Sequence, residues 1–225
     1  MDNILNDASK LKSGRMRCKR LPPKERREQL LQCAIAAFAD HGISRATHSH
    51  VADRAGTSVS TVHSYFRRRE DLQQAVLNAV EEYLTGLVGS CLAGHDPVEV
   101  TLNRLATRFA AEASTNPDLI RVWLDWSTGV RQDVWPQYLD LLEDLHAKSK
   151  AVFARGIEEG VLSPQLNTTA AARLYIGGGH TLALMQFSKV SKHAMNTFTE
   201  QFVRSAMNVP VGKIASSNGT RADAR

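Results

Sequence analysis

The sequence has few of the features that mark secreted, membrane-spanning or metal-stabilised proteins. Its three cysteines are an odd number and contain no CxxC pair, so we predict neither a disulfide framework nor a zinc site. It has no run of about 18 apolar residues, and its N-terminal region holds no apolar segment followed by a cleavage site. We therefore expect a cytoplasmic protein with no membrane partner.

Catalytic motifs are also missing. The sequence contains no GxSxG, HExxH or P-loop pattern, and we predict no catalytic residue, no metal ligand and no cofactor. His48 and His50 stand two residues apart, so on a helix their side chains would point in different directions. Together with His41 and Asp53 they could form a metal site only by accident of folding.

Charge is distributed unevenly along the chain. Residues 1–69 contain fourteen Lys and Arg against six Asp and Glu, a net charge of +8. The whole chain carries +5, so the remainder carries −3. A basic segment on a mildly acidic body predicts a polyanionic partner, double-stranded DNA, for the first segment only.

The stretch Thr47–Phe66 is the most informative part of the sequence. Val51 and Ala52 give an apolar side to a short helix, Gly56 breaks that helix, and Ser58 can cap a second one. A short helix, a tight turn with glycine and a capped second helix are typical of a helix-turn-helix. The second helix of that motif enters the major groove of DNA.

A longer helix is predicted before this stretch, and the three helices must share one small core. Pro22 and Pro23 suit a first helical turn, and His41-Gly42 end the apolar periodicity that follows. The predicted core comprises Phe38, Ile43, Val51, Ala52, Val62 and Phe66.

We divide the chain into a disordered basic arm (1–20), a helix-turn-helix DNA-binding domain (21–69), a helical regulatory and dimerisation domain (70–209) and a disordered tail (210–225). A long helix should begin after Arg69. Further helices are predicted near Val98–Ser114, Pro117–Thr128, Asp133–Glu159, Thr168–Lys189 and Ala194–Met207. No run alternates as a strand would, so the predicted fold class is all-α, with an N-terminal three-helix domain and a C-terminal helical bundle.

Three consecutive glycines lie inside one of these predicted helices. Gly177, Gly178 and Gly179 each disfavour a helix by about 1 kcal/mol relative to alanine. A close approach of another helix, a kink or the lining of a cavity would each explain them. The apolar positions around them and in the last helix are expected to form inner and dimer-facing stripes: Leu174, Leu182, Met185, Phe202, Val203 and Ala206.

DNA contacts are predicted for the second short helix and its surroundings. Side chains on its leading face can approach base edges through a methyl contact or hydrogen bonds. These residues are Val59, Ser60, His63 and Ser64. Hydroxyl and guanidinium groups nearby suit contacts to phosphates. They belong to Thr47, Thr61, Tyr65 and Arg69, and the capping residue Ser58 is also predicted to be among the DNA-binding residues.

The basic arm is open to two interpretations. It lies along the adjacent minor groove, whose negative potential attracts arginine, or it serves only as a solubilising tail. Its cationic candidates for DNA contact are Arg15, Arg17, Lys19 and Arg20.

The body is rich in aromatic residues and contains several histidines, which is the usual composition of a small-molecule site in a helical bundle. We predict an apolar small-molecule ligand for it. The predicted ligand-binding residues are Trp123, Trp126, Leu142, His146 and His180. The alternative for each of them is an ordinary place in the core.

Several motifs together match a known family. Gly42-Ile-x3-Thr47, Val51-Ala-x2-Ala-Gly56, Ser58-x2-Thr61-x3-Tyr65-Phe66 and Arg69-Glu-Asp-Leu72 resemble the TetR family of bacterial transcription regulators. Arg121-Val-Trp-Leu-Asp-Trp-Ser127 and Arg131-Gln-Asp-Val-Trp-Pro136 are similar to its LuxR/HapR/SmcR group, the quorum-sensing master regulators of vibrios. The resemblance implies an all-helical homodimer with an N-terminal DNA-reading head and an interface through the last two helices.

The chain departs from that pattern at positions that decide specificity. Most of the family has an aromatic residue where this chain has His63, and the vibrio group has asparagine where Ser64 stands, so the operator sequence cannot be carried over. Leu142 and His146 replace polar residues of the vibrio group's pocket, so its ligand cannot be carried over either.

We therefore predict a homodimeric transcription regulator that binds a pseudo-palindromic operator. Two alternatives remain open. A helical enzyme with an appended DNA-binding head would need a converging polar set in the body. A non-specific architectural DNA binder would show comparable affinity for random duplex.

Overall fold

The computed structural model describes residues 22–130 and 133–208, and within these ranges every regular element is an α-helix, which confirms the predicted fold class. The predicted arm and tail lie outside these residues. The helices are α1 (Pro23–His41), α2 (His48–Ala55), α3 (Val59–Tyr65), α4 (Arg69–Leu92), α5 (Val98–Thr115), α6 (Pro117–Thr128), α7 (Trp135–Glu158), α8 (Thr168–Phe187) and α9 (Lys192–Met207).

Helices α1, α2 and α3 form the predicted three-helix head. Gly56 ends α2 in the left-handed conformation, with φ +59°, and Ser58 begins α3 as its N-cap. The six predicted core residues are all buried, with none more than 2 % exposed. The helix-turn-helix and its core are therefore as predicted.

Helix α4 joins the head to the body without a flexible linker. It begins at Arg69, with only three residues between it and the end of α3, and packs against α1 as well as against α5, α6 and α7. Leu72 and Val76 near its start are fully buried. Leu84 and Val88 further along are also buried, with 2 % and 6 % of their surface exposed. One continuous helix thus contributes to both cores.

The helices of the body match the predicted ones except at their ends. Helix α8 ends at Phe187 rather than Lys189, because Lys189 adopts a positive φ of 56° that no helix can contain. Helix α9 begins two residues early, at Lys192, because Ser191 accepts a hydrogen bond from the backbone N–H of Ala194.

The three glycines of α8 have three different surroundings. A methyl group at Gly178 would overlap the ring of Phe202 on α9, so this glycine permits a close helix approach. Gly179 borders a cavity, and a methyl group there would meet Phe109 at 3.9 Å. Gly177 faces open space. Two of the three predicted explanations therefore apply, at different positions.

Helix α8 packs against α5, α7 and α9 and leaves one stripe exposed. Leu174 is 42 % exposed and Leu184 56 %, and Gly177 and Thr181 between them are also exposed. Leu182, Phe202, Val203 and Ala206, by contrast, are buried and form the inner stripe. Among the helices of the described ranges, none has the length and apolarity that crossing a bilayer requires.

Candidate nucleic-acid interface and body cavity

Both short helices of the head begin with a hydroxyl cap. Ser58 Oγ accepts from the backbone N–H of Thr61 at 3.2 Å and lies within 2.9 Å of the Ser60 hydroxyl. Thr47 Oγ1 accepts a longer bond, 3.5 Å, from the N–H of His50. Capping satisfies backbone donors that the first turn leaves free, so the start of α3 is held in a defined orientation.

Helix α3 turns its predicted reading side chains outward. Val62 is fully buried, and the neighbouring Phe66 is 2 % exposed, so these two fix the inner face. Val59, which is 38 % exposed, lies with the exposed residues Ser60, His63 and Ser64 on the rest of the helix. The leading side chains are therefore available to a partner.

Four histidines of the head form two stacked pairs. His48 and His63 stack with ring centroids 3.9 Å apart, and His41 and His50 stack at 3.8 Å. The side chains of His48 and His50 thus point to different partners, as their spacing predicts. The residues described contain no cluster of three or more side chains suited to a metal ion.

The hydrogen bonds of His63 and Ser64 end within the head itself. Nδ1 of His63 lies 3.1 Å from the carbonyl oxygen of Arg67, and the hydroxyl of Ser64 donates to the carbonyl oxygen of Thr61 at 2.7 Å. Nε2 of His48, which is 7 % exposed, lies 2.7 Å from the carbonyl oxygen of Phe66.

The residues predicted to contact phosphates differ in how free they are. Thr47 is exposed, and Thr61 and Tyr65 are half-buried. Arg69 donates from Nε to the carbonyl of Ala46 at 3.0 Å, and its two terminal nitrogens donate to Ile43 and Gln73. Three of its five N–H groups are therefore used inside the protein, and two remain. The candidates Arg15, Arg17, Lys19 and Arg20 lie outside the described residues.

Helix α6 connects the head to the body. Asp125 accepts a hydrogen bond from the backbone N–H of Ile43 at 2.7 Å, and α6 packs along α1. Trp123 on the same helix faces the interior of the body and is 3 % exposed. Nothing in the sequence indicates that Asp125 reaches the head, because the two bonded residues stand 82 positions apart.

An apolar cavity of about 50 Å³ lies inside the body. Trp123 lines it, edge-on to Phe109 with ring centroids 5.3 Å apart. The other lining residues come from α4, α5, α7, α8 and α9: Leu84, Val88, Leu105, Ala106, Leu145, Tyr175, Ile176, Gly179 and Phe202. Ligand pockets usually measure about 300–1,000 Å³, so a drug-sized ligand would enter only if side chains move.

The five predicted ligand-binding residues do not line one site. Only Trp123 borders the cavity. Leu142 and His146 lie instead in a separate open groove of about 560 Å³ between α7 and α8, beside Lys150 and Arg173. They point to the outer face of α7 because its inner face is occupied by residues such as Leu141 and Leu145, which are almost fully buried.

Trp126 and His180 pack next to the cavity residues without lining the cavity. Trp126 is fully buried, and its Nε1–H donates to the carbonyl of Val134 at 3.0 Å, so its side chain packs in the core. His180 stacks on Trp123 with centroids 4.0 Å apart and lies 3.4 Å from the Tyr138 hydroxyl. Burial lowers the pKa of His180, and burial together with Arg173 lowers that of His146, so both rings are neutral near pH 7.

Comparison with known proteins shows which proteins this chain is similar to. Residues 30–76 match the family model for bacterial regulatory proteins of the tetR family. The HTH-type transcriptional regulator LuxR of Vibrio harveyi is 29 % identical over 158 residues, which are 70 % of this chain and 77 % of LuxR. The HTH-type transcriptional activator FasR of Mycolicibacterium smegmatis is 37 % identical over 100 residues, 44 % of this chain and 43 % of FasR.

Solved structures share the same arrangement of helices. A TetR transcriptional regulator from Chloroflexus aurantiacus superimposes with a TM-score of 0.70 over 83 % of this chain and 96 % of that one, at 16 % sequence identity. The matching family model, the related regulators and the common fold lead to one conclusion. The head carries the DNA-binding domain of the TetR family, and the chain is similar in sequence and fold to transcription regulators of that family.

Proposed function

We propose that the chain binds a pseudo-palindromic operator as a homodimer, inserting α3 of each subunit into the major groove. The observation that carries this proposal is the outward face of α3, where Val59, Ser60, His63 and Ser64 are exposed on a helix anchored by Val62. A recognition helix must be both rigidly held and accessible, and α3 meets both requirements. In this proposal the protein acts in the cytoplasm, where bacterial DNA is found.

Phosphate contacts position each head on the duplex in this proposal. Residues 22–69 carry eight Lys and Arg against four Asp and Glu, a net charge of +4 that suits a phosphate backbone. Thr47 and Tyr65 can offer hydroxyl groups, and Arg69 retains two N–H groups after its bonds inside the protein. The arm lies along the adjacent minor groove in this proposal and supplies Arg15, Arg17, Lys19 and Arg20.

The homodimer forms through α8 and α9. Leu174, Gly177, Thr181 and Leu184 are exposed at spacings of three, four and three residues, which is the spacing of a helix–helix seam. Gly177 meets nothing within 4 Å in the single chain, so a partner helix can approach closely there. A two-fold dimer uses the same patch on both subunits and matches the symmetry of a palindromic site.

An apolar small molecule acts on this regulator through the body cavity. The lining is almost entirely hydrocarbon, so a ligand gains affinity by burying apolar surface. Trp123 at the cavity and Asp125 at the head stand on the same helix, α6, two residues apart. A ligand that displaces Trp123 would therefore move the helix that carries the bond to Ile43.

A role in cell-density signalling is the narrower form of the proposal. It is supported by the similarity to LuxR of Vibrio harveyi over 77 % of that protein, together with the motifs at Arg121–Ser127. The corresponding experiment compares transcripts of a strain lacking this chain with its parent at low and high cell density. A set of genes whose difference appears at one density only is expected.

Operator binding is tested with the purified full chain and a library of randomised duplexes at physiological salt. We expect enrichment of a two-fold symmetric sequence, with an affinity at least about a thousandfold above that for random duplex. Equal binding to all duplexes would instead identify an architectural DNA binder.

Thermal unfolding with a panel of apolar compounds, repeated on Trp123→Ala, tests the cavity. If no compound stabilised the protein, the ligand would be removed from the proposal.

A further inference from the structure

We propose that His63 and Ser64 present only hydrogen-bond acceptors to the DNA and select bases that carry an amino group, adenine or cytosine, on the strand they contact. This inference rests on the proposed operator binding. It specifies the chemistry by which one part of the operator is read.

The neighbour of His63 fixes where its ring hydrogen lies. Nδ1 is 3.1 Å from the carbonyl oxygen of Arg67, and a carbonyl oxygen can only accept, so Nδ1 carries the hydrogen of the neutral imidazole. Nε2 then has a lone pair and no hydrogen. Since the side chain is exposed, Nε2 is the ring nitrogen left for an outside partner.

Stacking on His48 keeps the ring of His63 in this orientation. The two rings are 3.9 Å apart and within 13° of parallel. His48 is itself held, because its Nε2–H donates to the carbonyl of Phe66 at 2.7 Å and the residue is 7 % exposed. A flip of the His63 ring would put a carbon where Nδ1 stands and would break the bond to Arg67.

Ser64, the next residue of α3, also has only a hydrogen-bond acceptor left for an outside partner. A hydroxyl has a single hydrogen, and the hydroxyl of Ser64 gives it to the carbonyl oxygen of Thr61 at 2.7 Å. Its remaining capacity is that of an acceptor. Two adjacent exposed side chains of the recognition helix thus both offer lone pairs.

In the major groove these acceptors can pair with only two of the four bases. Adenine offers the N6 amino group and cytosine the N4 amino group, whereas guanine and thymine offer acceptors at their groove edges. Every base pair contains one such amino group, so an acceptor reads which strand carries it. At a contacted operator position we expect A and C to be accepted about equally and both to be preferred over G and T. This pattern differs from a purine–pyrimidine preference and from an A·T–G·C preference.

Selection from randomised duplexes, with the full chain and sequencing of the bound fraction, tests the inference. Native protein should favour A and C over G and T about two- to tenfold at one or two positions in each half-site, the value of one hydrogen bond. Ser64→Ala should abolish the preference at its position. His63→Lys should turn the preference at its position toward guanine, because an ammonium group only donates.

A second measurement isolates the hydrogen bond itself. In the selected operator, the adenine is replaced by unsubstituted purine, or the cytosine is replaced by 2-pyrimidinone. Each replacement removes the amino group alone. Native protein should bind about two- to tenfold more weakly, whereas the matching alanine variant, His63→Ala or Ser64→Ala, should bind both duplexes equally. The inference would be overturned if the replacement weakened binding of native protein and of both variants equally. It would also be overturned if native protein selected G or T at the positions where His63→Ala or Ser64→Ala changes the base preference. If native protein enriches no sequence at all, the proposed function fails as well, so the two failures are distinguishable.

Discussion

The carboxylate of Asp125 accepts a hydrogen bond from the backbone N–H of Ile43 across 2.7 Å, which ties α6 of the body to the turn after α1. Arg69 at the start of α4 donates to the carbonyl oxygen of the same Ile43. The N–H and C=O groups of one residue in the head are thus bound from two different helices. Both bonds are long-range in sequence and partly shielded from water.

We expect Asp125→Ala to lower the free energy of unfolding by about 1–3 kcal/mol, because it leaves the N–H of Ile43 without a partner in a partly buried turn. Urea denaturation measures the change. Asp118→Ala, on the same helix, is the matched control. Its ion pair with Arg121, at 3.4 Å, lies at the surface and should contribute less than about 1 kcal/mol. Equal destabilisation in both variants would show that the bond to Ile43 adds nothing.

Gly178→Ala is expected to destabilise the fold by about 1–3 kcal/mol, because the added methyl group would overlap the ring of Phe202 and force α8 and α9 apart. The control is Gly86→Ala in α4, where an added methyl meets nothing within 4 Å. That variant should gain up to about 1 kcal/mol from helix propensity. Thermal unfolding of the two proteins side by side gives the answer, and a stable Gly178→Ala protein would mean that Phe202 can move aside freely.

Leu184→Glu should convert the proposed dimer to monomers, because it places a charge in the exposed stripe of α8, where Leu184 is 56 % exposed. Analytical ultracentrifugation at micromolar concentration checks this. Val100→Glu on α5 is the control, since Val100 is 51 % exposed but lies outside the stripe. A dimer that survives Leu184→Glu would move the interface elsewhere.

A pH dependence is expected from the contact between α4 and α5. The Tyr83 hydroxyl donates to Glu112, and with help from Asn116 it holds the pKa of that carboxyl below its ordinary value, while burial and Glu112 raise the pKa of Tyr83 to about 12. A carboxyl with a lowered folded-state pKa stabilises the protein fully above its unfolded value of about 4.3, and that stabilisation is lost as the pH falls through the folded value.

Urea denaturation between pH 3 and 6 should therefore show a steeper loss of stability for native protein than for Glu112→Gln, which cannot ionise. Tyr83→Phe should flatten the dependence partly, because Asn116 and Thr115 still donate to Glu112. Parallel curves for native protein and Glu112→Gln would contradict the assignment. Ionisation of Tyr83 itself should not contribute between pH 3 and 6, because its phenol begins to ionise in the unfolded chain only near about pH 10.

Deletion of residues 1–19 should reduce the dependence of DNA affinity on salt concentration. That segment carries Arg15, Arg17 and Lys19, and removing one phosphate contact lowers the slope of log affinity against log salt by about one. Filter binding to one operator at several salt concentrations measures it. An unchanged slope would assign the arm to the solubilising role.

The head could be predicted from the sequence because its signals are local. Gly56 and Ser58 punctuate the turn between two short helices, and the apolar spacing around them leaves one arrangement for Val62 and Phe66. The fold class and the helices of the body followed from periodicity in the same way. The comparisons confirm the resemblance to the TetR family.

The cavity could not be predicted residue by residue, because periodicity shows that a helix has an apolar face without showing which neighbour covers it. Leu142 and His146 fall on the outer face of α7, while Trp126 lies one helical turn beyond Trp123 and packs into the core. The bond of Asp125 to the head was missed for a related reason. Its partner is a backbone group of Ile43, and backbone donors leave no mark in a sequence.

The continuity of α4 has a practical consequence for anyone who wishes to study the DNA-reading part in isolation. Leu72 and Val76 follow the boundary at Arg69 that the sequence suggests, yet both are fully covered, and α4 rests on α1. A fragment cut at Arg69 would leave the apolar surface of α1 open to water. A fragment made by cloning or limited proteolysis should fold stably only when it keeps the first two turns of α4 together with α1, α2 and α3.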